Sequence, residues 1–176
     1  MTQEPSPALS IADVAALLGS TLATLRAELS ALPEHVLAWH PAPGEWCVKE
    51  TIGHIIEADR RGFEGRIRLL LRADKPEFLG WDQVGVARDR QDCQRAGADI
   101  LREFVELRER SIALVAALEP SQLSRGGTHD RVGSLRIADL LQEWVHHDRN
   151  HVRQALANVQ AYVWPAMGNA QRFSSG

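Results

Sequence analysis

The sequence predicts an all-α protein built as a four-helix bundle. Three observations carry this. Four segments place apolar side chains at three- and four-residue steps, the repeat of a helix buried along one face. The connections between them collect the prolines and glycines that break regular structure. No stretch alternates with a period of two for long enough to make a sheet.

The first helix is predicted from about Ile11 to Leu32. Val14, Leu17, Leu18, Leu22, Leu25 and Leu29 form its stripe, Ser10 and Asp13 resemble a capping box, and Pro33 stops it. Pro41, Pro43 and Gly44 make the next segment a linker, with Trp39 and Trp46 expected to pack over one end of the bundle. The second helix is predicted from about Val48 to Arg72, with Ile52, Ile55, Ile56, Phe63, Ile67 and Leu70 on its apolar face. Its other side carries Thr51, His54, Ala58, Gly62 and Gly65. Each glycine costs roughly 1 kcal/mol inside a helix, which points to close packing or to a cavity on that side. A loop with Pro76, Gly80, Trp81 and Gly85 leads to a third helix, from about Asp92 to Leu118, ended by Pro120. A further loop holds Gly126, Gly127 and Gly133, and the fourth helix follows Ser134, read as its N-cap, to about Val159.

With 176 residues, 44% of them hydrophobic, the chain can bury a full core without metal or disulfide. One domain over 8–165 is expected, with flexible ends at 1–7 and 168–176. The net charge of −3 and a pI near 6.2 argue against nucleic acid as a partner. Arg60, Arg61, Arg66, Arg68 and Arg72 alternate with Glu57, Asp59 and Glu64, the pattern of a solvated helix face. Aliphatic runs such as Leu69–Leu71 are far too short to span a membrane, and MTQEPSPALS lacks the features of a signal peptide. Two cysteines, Cys47 and Cys93, make no disulfide framework and no CxxC motif. A cytoplasmic location is the expectation.

The strongest chemical signal lies in the fourth helix. His147 and His151 are one turn apart and continue the inward stripe of Leu140, Trp144 and Ala155. A buried imidazole needs a partner. Two readings are open: core histidines bonded to carbonyls or carboxylates, or a pair sharing one metal ion. His54, on the small-residue face of the second helix, is the best further ligand; His35, His40 and His129 lie in loops, and His146 faces outward or sideways. Three histidines with an open position match catalytic rather than structural metal sites. Asp148 stands where HExxH proteases have Glu, which disfavours a peptidase. Two His-Asp pairs, His129-Asp130 and His147-Asp148, match the HD phosphohydrolases poorly, and no phosphate-binding glycine motif is present.

Two blocks carry a family resemblance. Pro43 to Ile55 (PGEWCVKETIGHI) resembles the "P-x-E-W-S-x-x-E-x-x-x-H" block of the DinB-like superfamily, and Leu135 to Gln154, with His147-Asp148-Arg149-Asn150-His151 inside it, resembles its "H-D-x-x-H-x-x-Q" block. The resemblance covers about Ala8 to Val159. It implies a four-helix bundle that departs from the usual up-and-down arrangement. It also implies a divalent ion, nickel or zinc, on His54, His147 and His151, and it implies a homodimer. Cys47 departs from the family's Ser, which caps the second helix together with the acid at Glu50; the cap is expected to weaken by ~1 kcal/mol. Glu50 is a candidate for supporting His54 or for capping alone. Asp59 is a candidate for an inward ion pair with Arg66 or for substrate binding.

The resemblance implies one functional reading, and the same three ligands leave two more open. The implied one is transfer of a low-molecular-weight thiol (bacillithiol, mycothiol or glutathione), with Arg149, Arg153 or arginines of the second helix holding its carboxylates. Another is metal-assisted hydrolysis with Asp148 or Glu143 as base. The third is a non-catalytic metal-binding dimer, favoured if Glu50 or Asp148 closes the fourth metal position.

Overall fold

Ser10 opens the first helix as its spacing predicts. Its Oγ accepts from the Asp13 N–H at 3.1 Å, and the Asp13 carboxylate accepts from the Ser10 N–H. The computed structural model describes residues 7–174; of the ends expected to be flexible, 1–7 and 168–176, residues 1–6 and 175–176 lie outside the described residues. Helix α1 (Ile11–Ala31) is followed by the short α2 (Glu34–Leu37). The second long helix is α3 (Val48–Glu57), a π-helical segment (Ala58–Phe63) and α4 (Glu64–Arg72). Then come β1 (Glu77–Phe78), α5 (Gln83–Arg90), α6 (Gly97–Ala116), β2 (Gly126–His129), β3 (Gly133–Arg136) and α7 (Ile137–Val163). Residues Trp164–Phe173 continue as 3₁₀ turns.

The four long helices form the expected bundle, with a particular arrangement. Both α1 and α3 pack against α6 and α7, so the first two long helices stand diagonally rather than side by side. An up-and-down bundle would make them neighbours. Two apolar clusters fill the interior. One joins Val14, Leu18, Phe63, Ile67, Val115, Leu140 and Trp144; the other joins Leu25, Leu29, Ile52, Ile55, Phe104 and Val152. Each fully buried aliphatic side chain contributes about 1.5–3 kcal/mol.

A buried polar layer separates the clusters. The Arg108 guanidinium, on α6, has no exposure and bonds two carboxylates, Asp59 at 2.8 and 3.0 Å and Asp148 at 3.0 Å and a second, shorter contact. Trp144 Nε1–H donates to Asp59 at 2.7 Å. The expected Asp59–Arg66 pair does not form. Asp59 turns inward to α6, whereas Arg66 reaches the Leu79 carbonyl at 3.5 Å and lies over the Phe78 ring.

The second helix is not continuous. Its π segment places the Arg60 carbonyl beside Gly65, where a Cβ would stand 2.4 Å from that oxygen. Gly65 is therefore what lets the chain take the extra residue, a feature common at functional sites.

Three further expectations are corrected. The glycine-rich loop before α7 forms the hairpin β2–β3, and β1 adds to it in parallel. These strands are two to four residues long, too short for a period to register. Ser134 belongs to β3; the N-cap of α7 is Arg136, whose N–H donates to Asp139. The third helix begins at Gly97, and the segment before it holds α5 and a 3₁₀ turn at Asp92–Gln94.

The two cysteines are bonded to each other. Their sequence separation of 46 residues hides the pairing. The fold creates it by seating the Asp92 turn directly on α3: a Cβ at Gly53 would lie 1.8 Å from Asp92 Oδ2. With that bond present, cysteine usage no longer argues for a reducing compartment. Among the described residues no helix is long and apolar enough to cross a membrane.

Candidate metal centre

Helices α3 and α7 bring His54, His147 and His151 together. His54 Nε2 lies 3.0 Å from His147 Nε2. The ring centroids of His151 are 4.5 Å from His54 and 4.4 Å from His147, and one nitrogen of each ring falls within 4.8 Å of the others. Two nitrogens that each sit ~2.0–2.1 Å from one ion lie roughly 3.0–3.4 Å apart, so the spacing suits a shared cation.

The electrostatics favour the same state. Burial, then the charge of His151, brings the His54 pKa down to about 4. Burial, then His151, His54 and Arg108, brings His147 down to about 2. His151 is also lowered, by burial, against the opposing effects of its bond to Gln154 and the Asp148 charge. All three rings are neutral at pH 7, the form that ligates metals. Gln154 Oε1 lies 2.9 Å from His151 Nδ1 and accepts a hydrogen bond from its N–H, which leaves Nε2 as the lone-pair nitrogen.

Nδ1 of His54 and of His147 is buried with no hydrogen-bond partner among the described residues. The two Nε2 atoms face each other at 3.0 Å, and a cation between them lets both keep a lone pair there with the ring protons on Nδ1. The residues thus fit a divalent ion held by three neutral nitrogens.

The walls are aromatic. Trp46 packs on His54 with centroids 4.9 Å apart, Trp81 stacks on it at 6.0 Å, and the edge of Phe63 meets His147 at 5.2 Å. Trp46 thus belongs to the site, while Trp39 packs edge-on against Tyr162 at the bundle end. A cavity of about 540 Å³ opens beside His54 and His147. Ala58, Gly62, Phe63, Arg66, Trp81, His129 and Glu143 are among its lining residues. The small-residue face of the second helix leaves room rather than packing tightly, since a Cβ at Gly62 would touch nothing within 4 Å.

Other candidates fall elsewhere. Glu50 accepts from the Cys47 N–H at 3.0 Å and stands 3.6 Å from His40, so it caps α3 and does not support His54. Asp148 is 1% exposed and bound to Arg108, which removes it as a base or a fourth ligand. Asp59 has no exposure and cannot meet substrate. Arg149 is turned to the Leu17 carbonyl of α1 at 2.9 Å. Trp81 and His129 were beyond a periodicity argument because both lie outside the long helices; Arg108 was legible as a charge on the stripe of Phe104, Ser111 and Val115.

A four-helix bundle with a three-imidazole cluster at the head of a cavity is the architecture of a histidine-ligated metalloprotein. The chain belongs to the DinB superfamily, whose family model matches residues 9–155. Among solved structures it is similar to YfiT from Bacillus subtilis, at TM-score 0.80 and 19% identity, over 92% of this chain and 94% of that one. YfiT is described as a probable metal-dependent hydrolase with an unusual four-helix bundle topology. A search of curated proteins gives no match.

Proposed function

We propose that this protein is a metal-dependent hydrolase of small molecules, with a zinc or nickel ion held by His54, His147 and His151. The observation that carries the reading is that His54 and His147 of the histidine cluster open onto a cavity that Glu143 also lines. A divalent ion in a three-nitrogen set supplies Lewis-acid polarisation and lowers the pKa of water at an open position. Glu143 stands one turn before His147 on α7 and is exposed to the cavity. It takes the proton from the attacking water and returns it to the leaving group. Trp81, Phe63 and Ala58 shield the reacting centre from bulk water, and Arg66 offers an anchor for an anionic substrate group. The description of YfiT agrees with this reading.

Arg66 favours a second reading, transfer of a low-molecular-weight thiol, because a guanidinium in the cavity wall suits such a thiol's carboxylates. The two are separated by turnover. Zinc- and nickel-loaded protein is offered small esters and amides, and separately an electrophile with glutathione, mycothiol or bacillithiol. Thiol-independent hydrolysis that falls about 10²–10⁴-fold in Glu143→Gln supports the hydrolase. Turnover that requires a thiol and survives Glu143→Gln replaces it with the transferase. Loaded protein inactive in every assay leaves a non-catalytic metal-binding bundle.

A further inference from the structure

Some distance from the histidine trio, His40, Cys47, Glu50 and Cys93 gather at the N-terminus of α3, and one ligand-type atom of each lies within 4.8 Å of the others. We propose that this is a second metal site, closed while Cys47 and Cys93 are bonded and open to a zinc-type ion once they are reduced. It lies two turns, ~10 Å, from His54 along α3. The proposed hydrolase activity plays no part in it.

The ring of His40 carries the argument. Its Nδ1 lies 2.7 Å from the Glu45 carbonyl, which can only accept, so the ring proton is on Nδ1. Nε2 is therefore a lone pair, and it is aimed at Cys93 Sγ from 3.4 Å. A disulfide sulfur has no proton to give it. In the dithiol state the same nitrogen and the two sulfurs face one point, with Glu50 beside them. Two thiolates, an imidazole and a carboxylate form a four-ligand set that favours zinc over hard cations. The bond that Nδ1–H donates to the Glu45 carbonyl is the outer support that metal-bound imidazoles usually have.

The route to reduction is also visible. Cys47 has no exposure, whereas Cys93 is partly exposed. An external thiolate attacks Cys93 Sγ and forms a mixed disulfide there, while the S–S bond breaks and its electron pair leaves on Cys47. The leaving thiolate sits at the N-terminus of a ten-residue helix, which stabilises it. A second external thiolate attacks the mixed disulfide, so two external thiols become one disulfide and the protein gains two thiols. Zinc then binds with loss of both thiol protons.

The test is an anaerobic cobalt(II) titration of the full chain, oxidised and after reduction by a phosphine, with far-ultraviolet circular dichroism to check folding. Cobalt alone is the probe, because only cysteine ligation gives sulfur-to-cobalt charge-transfer absorption. The proposal expects that band in the folded, reduced protein and not in the oxidised one, with one more ion bound per chain. His40 is exposed at the surface, so His40→Ala tests the site without risk to the core. That variant is expected to keep the band and lose cobalt affinity by at least about tenfold. A folded, reduced protein without the band overturns the proposal, as does unchanged affinity in His40→Ala. If the reduced wild type unfolds, Cys47→Ala keeps the test open. Its folded form must show a weaker, single-thiolate band that His40→Ala abolishes, and no band overturns the proposal.

Discussion

Replacing Arg108 by Met tests the polar layer at the middle of the bundle. The guanidinium is the cationic partner of both Asp59 and Asp148, and all three are buried. Met fills most of its volume and removes the charge, so two carboxylates stay in the interior without compensation. Breaking a buried pair in this way costs about 3–5 kcal/mol. In a domain of this size each kcal/mol moves Tm by about 2–4 °C, so the expected loss is roughly 6–20 °C. Urea unfolding followed by circular dichroism gives the free energy directly. Adding Asp59→Asn and Asp148→Asn makes the layer neutral and keeps an acceptor for Trp144 Nε1–H; at least half of the loss should return. The deficit of Arg108→Met should also depend on pH. Burial and the Asp148 charge already push the Asp59 pKa up, and losing Arg108 removes the opposing pull. Losing Arg108 lifts the folded Asp59 pKa above its already raised wild-type value, so the Asp59 part of the deficit is smallest at low pH and grows as pH rises through that wild-type folded value. A cost under ~1 kcal/mol, or a triple variant no more stable than Arg108→Met alone, would refute the reasoning.

Three other expectations concern the site and its helix. Gln154→Ala frees the His151 ring, so zinc affinity by calorimetry should fall about 10–100-fold with little change in fold. In metal-free protein the depressed pKa of His54 stabilises the fold fully above its ordinary value of 6.5, and this is lost as pH falls through about 4; the loss is about 3 kcal/mol, read as a drop in the urea midpoint. Gly65→Ala would gain roughly 1 kcal/mol in an ordinary helix, but beside the Arg60 carbonyl it should instead cost about 1–3 kcal/mol in thermal melts.

The bundle and the histidine trio were readable because both are written in helical spacing. Leu18, Leu25, Ile52 and Ile55 recur on one face and are buried there; His147 and His151 continue such a stripe on α7, and His54 sits among small residues. What escaped the sequence lies off that spacing. The Cys47–Cys93 bond and the Arg108 layer depend on which helices are neighbours, and the diagonal placement of α1 and α3 is not encoded in any one segment. The π segment adds a residue within an unbroken apolar pattern, and only Gly65 hints at it. Trp81 and His129 reach the cavity from short elements whose position follows from the fold. Nearness in sequence to the histidines made Glu50 and Asp148 site candidates, but Glu50 is used in capping and Asp148 in neutralising Arg108.

The central claim is that three imidazoles from two helices jointly hold one divalent ion. Metal content by plasma mass spectrometry, on oxidised protein equilibrated with zinc or nickel and then desalted, tests it most directly when His147→Ala and His151→Ala are measured beside the wild type. The account predicts about one ion per wild-type chain and a small fraction of that in either variant. A wild type that retains neither metal, or variants that retain as much as it does, would contradict the claim.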